Sequence, residues 1–153
     1  MDEAVINVPF GQLKLSAESD FLTGIEFLPK RHALKKPASP LLKETEAQLN
    51  AYFCNPRHAF DLPINLNGTR FQKQVWKALC EIPAGAPLTY GQLAQILDTA
   101  PRAIGGACGS NPLPVIVPCH RVVSATGLGG FMRTKSLASL NIKSWLLAHE
   151  GQA

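Results

Sequence analysis

Apolar and polar positions change their period once along this chain. In residues 4–28 the runs are short: Val5-Ile6-Asn7-Val8, a turn at Pro9-Phe10-Gly11, Gln12–Leu15 alternating polar with apolar, then the apolar stretch Phe21–Leu28. Such runs bounded by turn residues predict two or three short strands. Arg31–Pro40, with Lys35-Lys36-Pro37, is a basic, proline-containing connection. From Leu41 to Phe53 the period lengthens, because Leu42, Leu49 and Phe53 fit a helix with Glu44 and Glu46 in its early turns. Asn55–Gly68, interrupted by Pro56, Pro63 and Asn67-Gly68, reads as a linker.

Beyond the linker the pattern is helical. Thr69 is a good N-cap for a helix over about 70–81, with Phe71, Val75, Ala78 and Leu79 on one face. Pro83-Ala84-Gly85-Ala86-Pro87 breaks the chain, and Thr89 caps a second helix to Leu97 with Leu93, Ala94 and Leu97 inward. A turn at Asp98-Thr99-Ala100 and a first-turn proline, Pro101, then open a third helix to about Gly109. Two short helices joined by three residues, about 89–109, predict a helix-turn-helix. Leu113–Val117 reads as a strand stopped by Pro118. The expected fold is α/β (α+β), with a small N-terminal sheet-containing domain and linker over 1–67 and a mostly helical domain over 68–153.

The helix after the turn changes the picture. Arg102-Ala103-Ile104-Gly105-Gly106-Ala107-Cys108 carries one arginine and is otherwise small, whereas a helix reading base edges presents several Arg, Asn, Gln or Lys. Adjacent glycines cost a helix about 1 kcal/mol each against alanine. Close approach to a backbone would select them, either that of DNA or that of a neighbouring helix. Charge points the same way: residues 1–67 hold seven Lys+Arg against eight Asp+Glu, and residues 68–153 hold eight against three. The positive C-terminal part suits a polyanion, although so small an excess also suits a solubilising surface.

With 153 residues, 46% of them hydrophobic and 17% charged, the chain is no disordered tail protein, and no apolar run approaches membrane length. The acidic start Met1-Asp2-Glu3 lacks a leader pattern. Cys54, Cys80, Cys108 and Cys119 are scattered, as are His32, His58, His120 and His149, so reduced thiols, no metal and a cytoplasmic location are expected.

The chemistry concentrates at Pro118-Cys119-His120-Arg121. A thiolate is the nucleophile, and a free cysteine near pKa ~8.5 is only a few per cent ionised at neutral pH unless an imidazole or helix N-terminus assists. Alone, Cys119 reads more readily as a buried core residue, and its surroundings reverse that reading. Beside a smooth helix with one arginine, it suits an enzyme that extrudes a base from duplex DNA, Arg102 filling the space left and Cys119 attacking the base.

Phe71-Gln72, Val75-Trp76, Pro83-Ala84-Gly85, Thr89–Ala94, Arg102–Ala107, Asn111-Pro112, Ile116–Val123 and Trp145–Glu150 together resemble the O6-alkylguanine-DNA alkyltransferases, the methylated-DNA–protein-cysteine methyltransferases. The resemblance implies single-turnover repair of duplex DNA: direct, irreversible transfer of an alkyl group from guanine O6, and from thymine O4, to Cys119. It implies that His120 draws the thiol proton through a water and that Glu150 orients His120; Glu150 is also the only Asp or Glu after Asp98. Arg102 would replace the flipped nucleotide. Tyr90 would crowd the target phosphate and protonate the departing guanine, and Asn111 would bridge the recognition helix to the active segment. Gly91, Ala103, Gly105 and Gln72 complete the DNA-facing set, and Val122, Val123 and Phe131 the pocket. No cofactor is implied, and the protein would act as a monomer, with cooperation along DNA left open.

The chain departs from the family pattern in two places. It has a longer loop between Val123 and Trp145, where Phe131 stands in for the usual pocket tyrosine, and it lacks an N-terminal Cys/His zinc set. Three rivals remain: a cysteine hydrolase, a damage sensor that binds without transfer, and a sequence-specific regulator.

Overall fold

The computed structural model describes residues 1–132 and 136–152, which form two compact units, 1–66 and 67–153. The N-terminal unit is an antiparallel meander of β1 (Asp2–Val8), β2 (Gly11–Glu18) and β3 (Phe21–Leu28), followed by α1 (Pro40–Cys54). Alternation buries Leu13, Leu15 and Ala17 from β2 and Ala4 and Ile6 from β1, and they meet Leu42, Leu49 and Tyr52 of α1 in one core. Ser19 and Asp20, at φ 52° and 64°, make the β2–β3 turn with the twist that a two-residue hairpin requires.

Both connections of this unit do more than connect. Lys35 exchanges backbone hydrogen bonds with Val5 of β1 (2.9 and 3.1 Å). In the segment read as a linker, Pro63 O accepts from Leu22 N (2.8 Å) and Asn65 N donates to Leu22 O (3.1 Å). Each edge of the meander is thus partly covered, which leaves fewer unpaired strand groups.

The C-terminal unit comprises α2 (Arg70–Cys80), β4 (Leu88–Thr89), α3 (Tyr90–Ile96), α4 (Pro101–Gly109), β5 (Val122–Val123) and α5 (Leu137–Leu147). Thr69 and Thr89 each cap their helix in a full capping box, with Gln72 and Gln92 closing it. On α2 the buried face is Val75, Trp76 and Leu79, with Phe71 and Ala78 only half-buried. Trp76 belongs inside because its Nε1–H donates to Ala107 O of α4 (2.9 Å). The α3–turn–α4 unit forms as its caps and first-turn proline predict. A Cβ at Gly105 or Gly106 would meet nothing within 4 Å, so packing against a neighbouring helix does not select that pair.

Two sequence expectations fail here. Leu113–Val117 is no strand: Val115 sits at φ 76°, and Val117 N turns back to Leu113 O (2.8 Å). Pro112 and Pro114 remove backbone donors, and among the described residues no neighbouring strand offers a ladder, so Asn111 takes its place. Its Oδ1 accepts from Leu113 N (2.9 Å) and its Nδ2 donates to Val117 O (2.7 Å). The stretch between Val123 and Trp145 is only partly loop, since α5 begins at Leu137 behind its N-cap Ser136. Among the described residues no helix is long and apolar enough to cross a membrane.

Candidate active site

Cys119 opens a single 3-10 turn, Cys119–Arg121, that runs directly into β5. β5 pairs in parallel with β4, Leu88 opposite Val122 and Thr89 opposite Val123. Since Tyr90 follows β4 and the Cys-His-Arg turn precedes β5, this two-residue ladder ties the start of α3 to the thiol segment. Cys119 is 3% exposed. Its S–H donates to Met132 Sδ at 3.9 Å.

Behind it, His120 and Glu150 are buried together, with Nε2 2.7 Å from Glu150 Oε2. Arg121 clamps the same carboxylate, Nε to Oε1 at 2.8 Å and Nη2 to Oε2 at 2.9 Å, while Nη1 donates to Ile82 O at 2.7 Å. A bidentate guanidinium–carboxylate pair fixes Glu150 in position and plane. Gly85, at φ 83°, comes so close to the Glu150 carbonyl that a Cβ would lie 2.9 Å from it. Only glycine fits that turn.

The electrostatics follow from burial. Burial holds the His120 imidazole below its ordinary pKa, outweighing the hydrogen bond and charge of Glu150. A neutral ring that donates from Nε2 to Glu150 leaves its lone pair on Nδ1, by assignment from the network. That Nδ1 is buried and has no hydrogen-bond partner among the described residues. The Cys119 thiol is pushed up to about 11 by burial, against the Asn111 side chain and the positive charge of Lys143. At rest it is therefore protonated, so the adjacent imidazole does not by itself create a thiolate. Burial likewise raises Tyr90 to about 12.

Lys143, on α5, escaped the sequence reading. It is fully buried, and its Nζ donates to Val122 O (2.7 Å), Leu128 O (2.6 Å) and Gly130 O (2.9 Å), 5.7 Å from the centroid of the Tyr90 ring. Burial lowers its pKa to about 8. Its spacing was the available signal, because Lys143, Leu146 and Glu150 recur at helical intervals and put a cation on a buried stripe. Arg121 and Met132 were also passed over as site residues.

The remaining expected residues divide by exposure. Tyr90 is half-buried, its hydroxyl donating to Gly130 O at 3.4 Å. Asn111, Val122 and Phe131 are buried and Val123 is half-buried. Arg102, in the first turn of α4, and Gly91, in the first turn of α3, are exposed, and Ala103 and Gly105 of α4 are half-buried. Gln72 is half-buried, its side-chain oxygen engaged in the α2 cap. Among the described residues no three His, Cys, Asp or Glu side chains are grouped to hold a metal.

A thiol, a buried imidazole whose base nitrogen is unpartnered, and a clamped carboxylate can take a proton from a nucleophile. Two family models match the chain. Residues 70–152 match the 6-O-methylguanine DNA methyltransferase DNA-binding domain, and residues 1–66 match the ribonuclease-like domain of the same proteins. A methylated-DNA–protein-cysteine methyltransferase of Methanosarcina acetivorans is 37% identical over 156 residues, 97% of each chain. The crystal structure of the Mycobacterium tuberculosis O6-methylguanine methyltransferase superposes with a TM-score of 0.82 at 35% identity, covering 97% of this chain and 91% of that one. A structure of the M. tuberculosis protein in complex with DNA gives 0.79 at 36%, covering 95% and 90%. This chain belongs to the O6-methylguanine DNA methyltransferase family.

Proposed function

We propose that the protein repairs duplex DNA by moving a methyl or other alkyl group from O6 of guanine, and from O4 of thymine, onto Cys119. The observation that carries this is a buried thiol one residue from a buried His120–Glu150–Arg121 cluster, with the imidazole Nδ1 unpartnered. Sγ attacks the alkyl carbon, an S–C bond forms and the C–O6 bond breaks. The thiol proton passes through water to His120 Nδ1, and the guanine takes its proton from Tyr90. The phenol is protonated at neutral pH when the base arrives, and burial, which raises its pKa to about 12, makes the arriving base supply the drive for the transfer. Cys119 ends as a thioether with no good leaving group, so each molecule reacts once.

DNA engages through the exposed first turns of α3 and α4, with Arg102 entering the stack in place of the extruded nucleotide. The open faces of Gly105 and Gly106 admit a phosphate backbone closely. Gly91, Ala103 and Gln72 line the same surface, and Asn111 joins α4 to the thiol segment. Val122, Val123 and Phe131 frame the pocket. Residues 68–153 carry both DNA binding and chemistry, residues 1–67 form the N-terminal domain, and the protein works in the cytoplasm on the cell's DNA. Affinity should fall with salt, with little sequence preference.

The test is intact-protein mass after incubation with a duplex holding one O6-methylguanine. Wild type should gain one methyl group, stoichiometrically and on Cys119, and Cys119→Ser should gain none. Tight lesion binding without a mass change would overturn the transfer and leave a damage sensor.

A further inference from the structure

A nucleophile roofed by another side chain cannot react until that side chain yields. Within the fold the Cys119 thiol meets Met132, whose Sδ lies 3.9 Å from Sγ. The backbone leading to Met132 is pinned: Lys143 holds Leu128 O and Gly130 O, and the Tyr90 hydroxyl holds Gly130 O again. Gly129, at φ 74°, is so close to the Tyr90 ring that a Cβ would lie 2.8 Å from Cε2. Met132 follows in the left-handed region at φ 52°, uncommon for a residue with a side chain. A fixed approach ending in an enforced dihedral directs this side chain to the thiol. The side chain itself is unbranched, with three rotatable bonds and a polarizable thioether, and so adapts to what it packs against.

An alkyl carbon ready for displacement sits about 3–3.5 Å from the attacking atom. Whatever lies within 4 Å of Sγ therefore touches the alkyl group or must leave to admit it. We propose that Met132 is the adjustable wall of the alkyl pocket: it covers the thiol in the free protein and sets the range of alkyl groups by how far it moves aside. Phe131, 4% exposed, is the fixed neighbour of this wall. The proposal rests on the transfer reading above for its specificity, though not for its cover of the thiol.

The experiment has two arms, with the thermal midpoint of each variant recorded beside it. In the first, single-turnover rates are measured by mass for duplexes holding O6-methylguanine or O6-benzylguanine. Met132→Ala should raise the benzyl-to-methyl rate ratio at least fivefold. Met132→Leu, of similar bulk but branched, should lower it at least threefold. In the second arm iodoacetamide is added without DNA, and Met132→Ala should carboxymethylate Cys119 at least fivefold faster than wild type. Equal factors for both duplexes in both variants, or unchanged iodoacetamide labelling, would overturn the proposal and reduce Met132 to filling. If wild type takes no methyl from the duplex, the transfer reading fails, and the iodoacetamide arm alone decides whether Met132 covers the thiol. Should Met132→Ala fail to fold, the leucine variant decides through the duplex rate ratio.

Discussion

The three-stranded sheet of residues 2–28 and the thiol segment of residues 111–132 satisfy their backbones in opposite ways. In the sheet every strand finds an antiparallel neighbour, with a single register shift at Ser16/Ala17, so side chains are left to sort into an inner and an outer face. The thiol segment is buried at each residue from Leu113 to His120 and contains no ladder until the two-residue β5. Beyond a few tight turns of its own backbone, its carbonyls and N–H groups are met by side chains: its own Asn111 for Leu113 and Val117, and Lys143 of α5 for Val122, Leu128 and Gly130. A buried β-branched residue, Val115, is held at φ 76° within it, a conformation that costs about 1–3 kcal/mol. Regular pairing builds a scaffold in which single polar side chains matter little. Irregular burial builds a site in which each one matters, since an orphaned buried group bears its full desolvation cost.

The comparison sharpens most at Glu150. Glu150→Ala strands Arg121 and His120 in a nearly dry cluster, and losing one partner of a buried pair costs about 3–5 kcal/mol. Both tryptophans, Trp76 and Trp145, lie in the C-terminal unit, so urea unfolding followed by their fluorescence reads this loss directly. A shift below 1 kcal/mol would mean the clamp adds orientation without stability. Lys143→Met comes next. It removes three donors at once from buried carbonyls while keeping most of the packing, and should cost on the order of 3 kcal/mol by the same fluorescence.

Third is the thiol. With its pKa raised to about 11 by burial, the thiolate fraction of Cys119 at pH 8 is about two hundredfold below that of a free thiol near ~8.5. A raised acid pKa means fewer thiolates at any lower pH, so labelling of Cys119 by iodoacetamide should rise about tenfold per pH unit from 7 to 10. The urea-unfolded chain should level off near 9. Equal labelling rates in the folded and unfolded chain at pH 8 would show that the site creates thiolate at rest.

The same contrast explains what could be read in advance. Strands, capped helices and the turn between α3 and α4 obey local rules of period, cap and first-turn proline, so Thr69, Thr89 and Pro101 announced them. Cys119 and His120 were legible as chemistry and Glu150 only through the family resemblance, and the structure brings His120 and Glu150 to 2.7 Å. The course of Leu113–Val117 was not legible, because a wholly apolar run carries no period and its hydrogen bonds depend on Asn111 folding back on it. Lys143 and Met132 were missed for a related reason. One hides as a charge on a helix whose burial is set by distant carbonyls, and the other owes its place to the pinned backbone before it.

The smallest expected effect completes the contrast, again with a lysine to methionine change. Lys14, on the outer face of the sheet, lies 3.4 Å from Glu3 and 3.7 Å from Glu26, with all three side chains at least a third exposed. Glu26 stands directly across from it in the β2–β3 register, and Glu3 lies diagonally across from it on β1. Water and salt screen such pairs, and holding long side chains in place consumes most of the Coulomb gain. Lys14→Met should therefore shift the urea midpoint, read by circular dichroism, by less than about 0.5 kcal/mol, and less still at 0.5 M salt. A loss rivalling that of Lys143→Met would mean that the outer face of the sheet depends on its charges as the thiol segment depends on its buried donors, and the distinction between scaffold and site would then lie in chemistry alone.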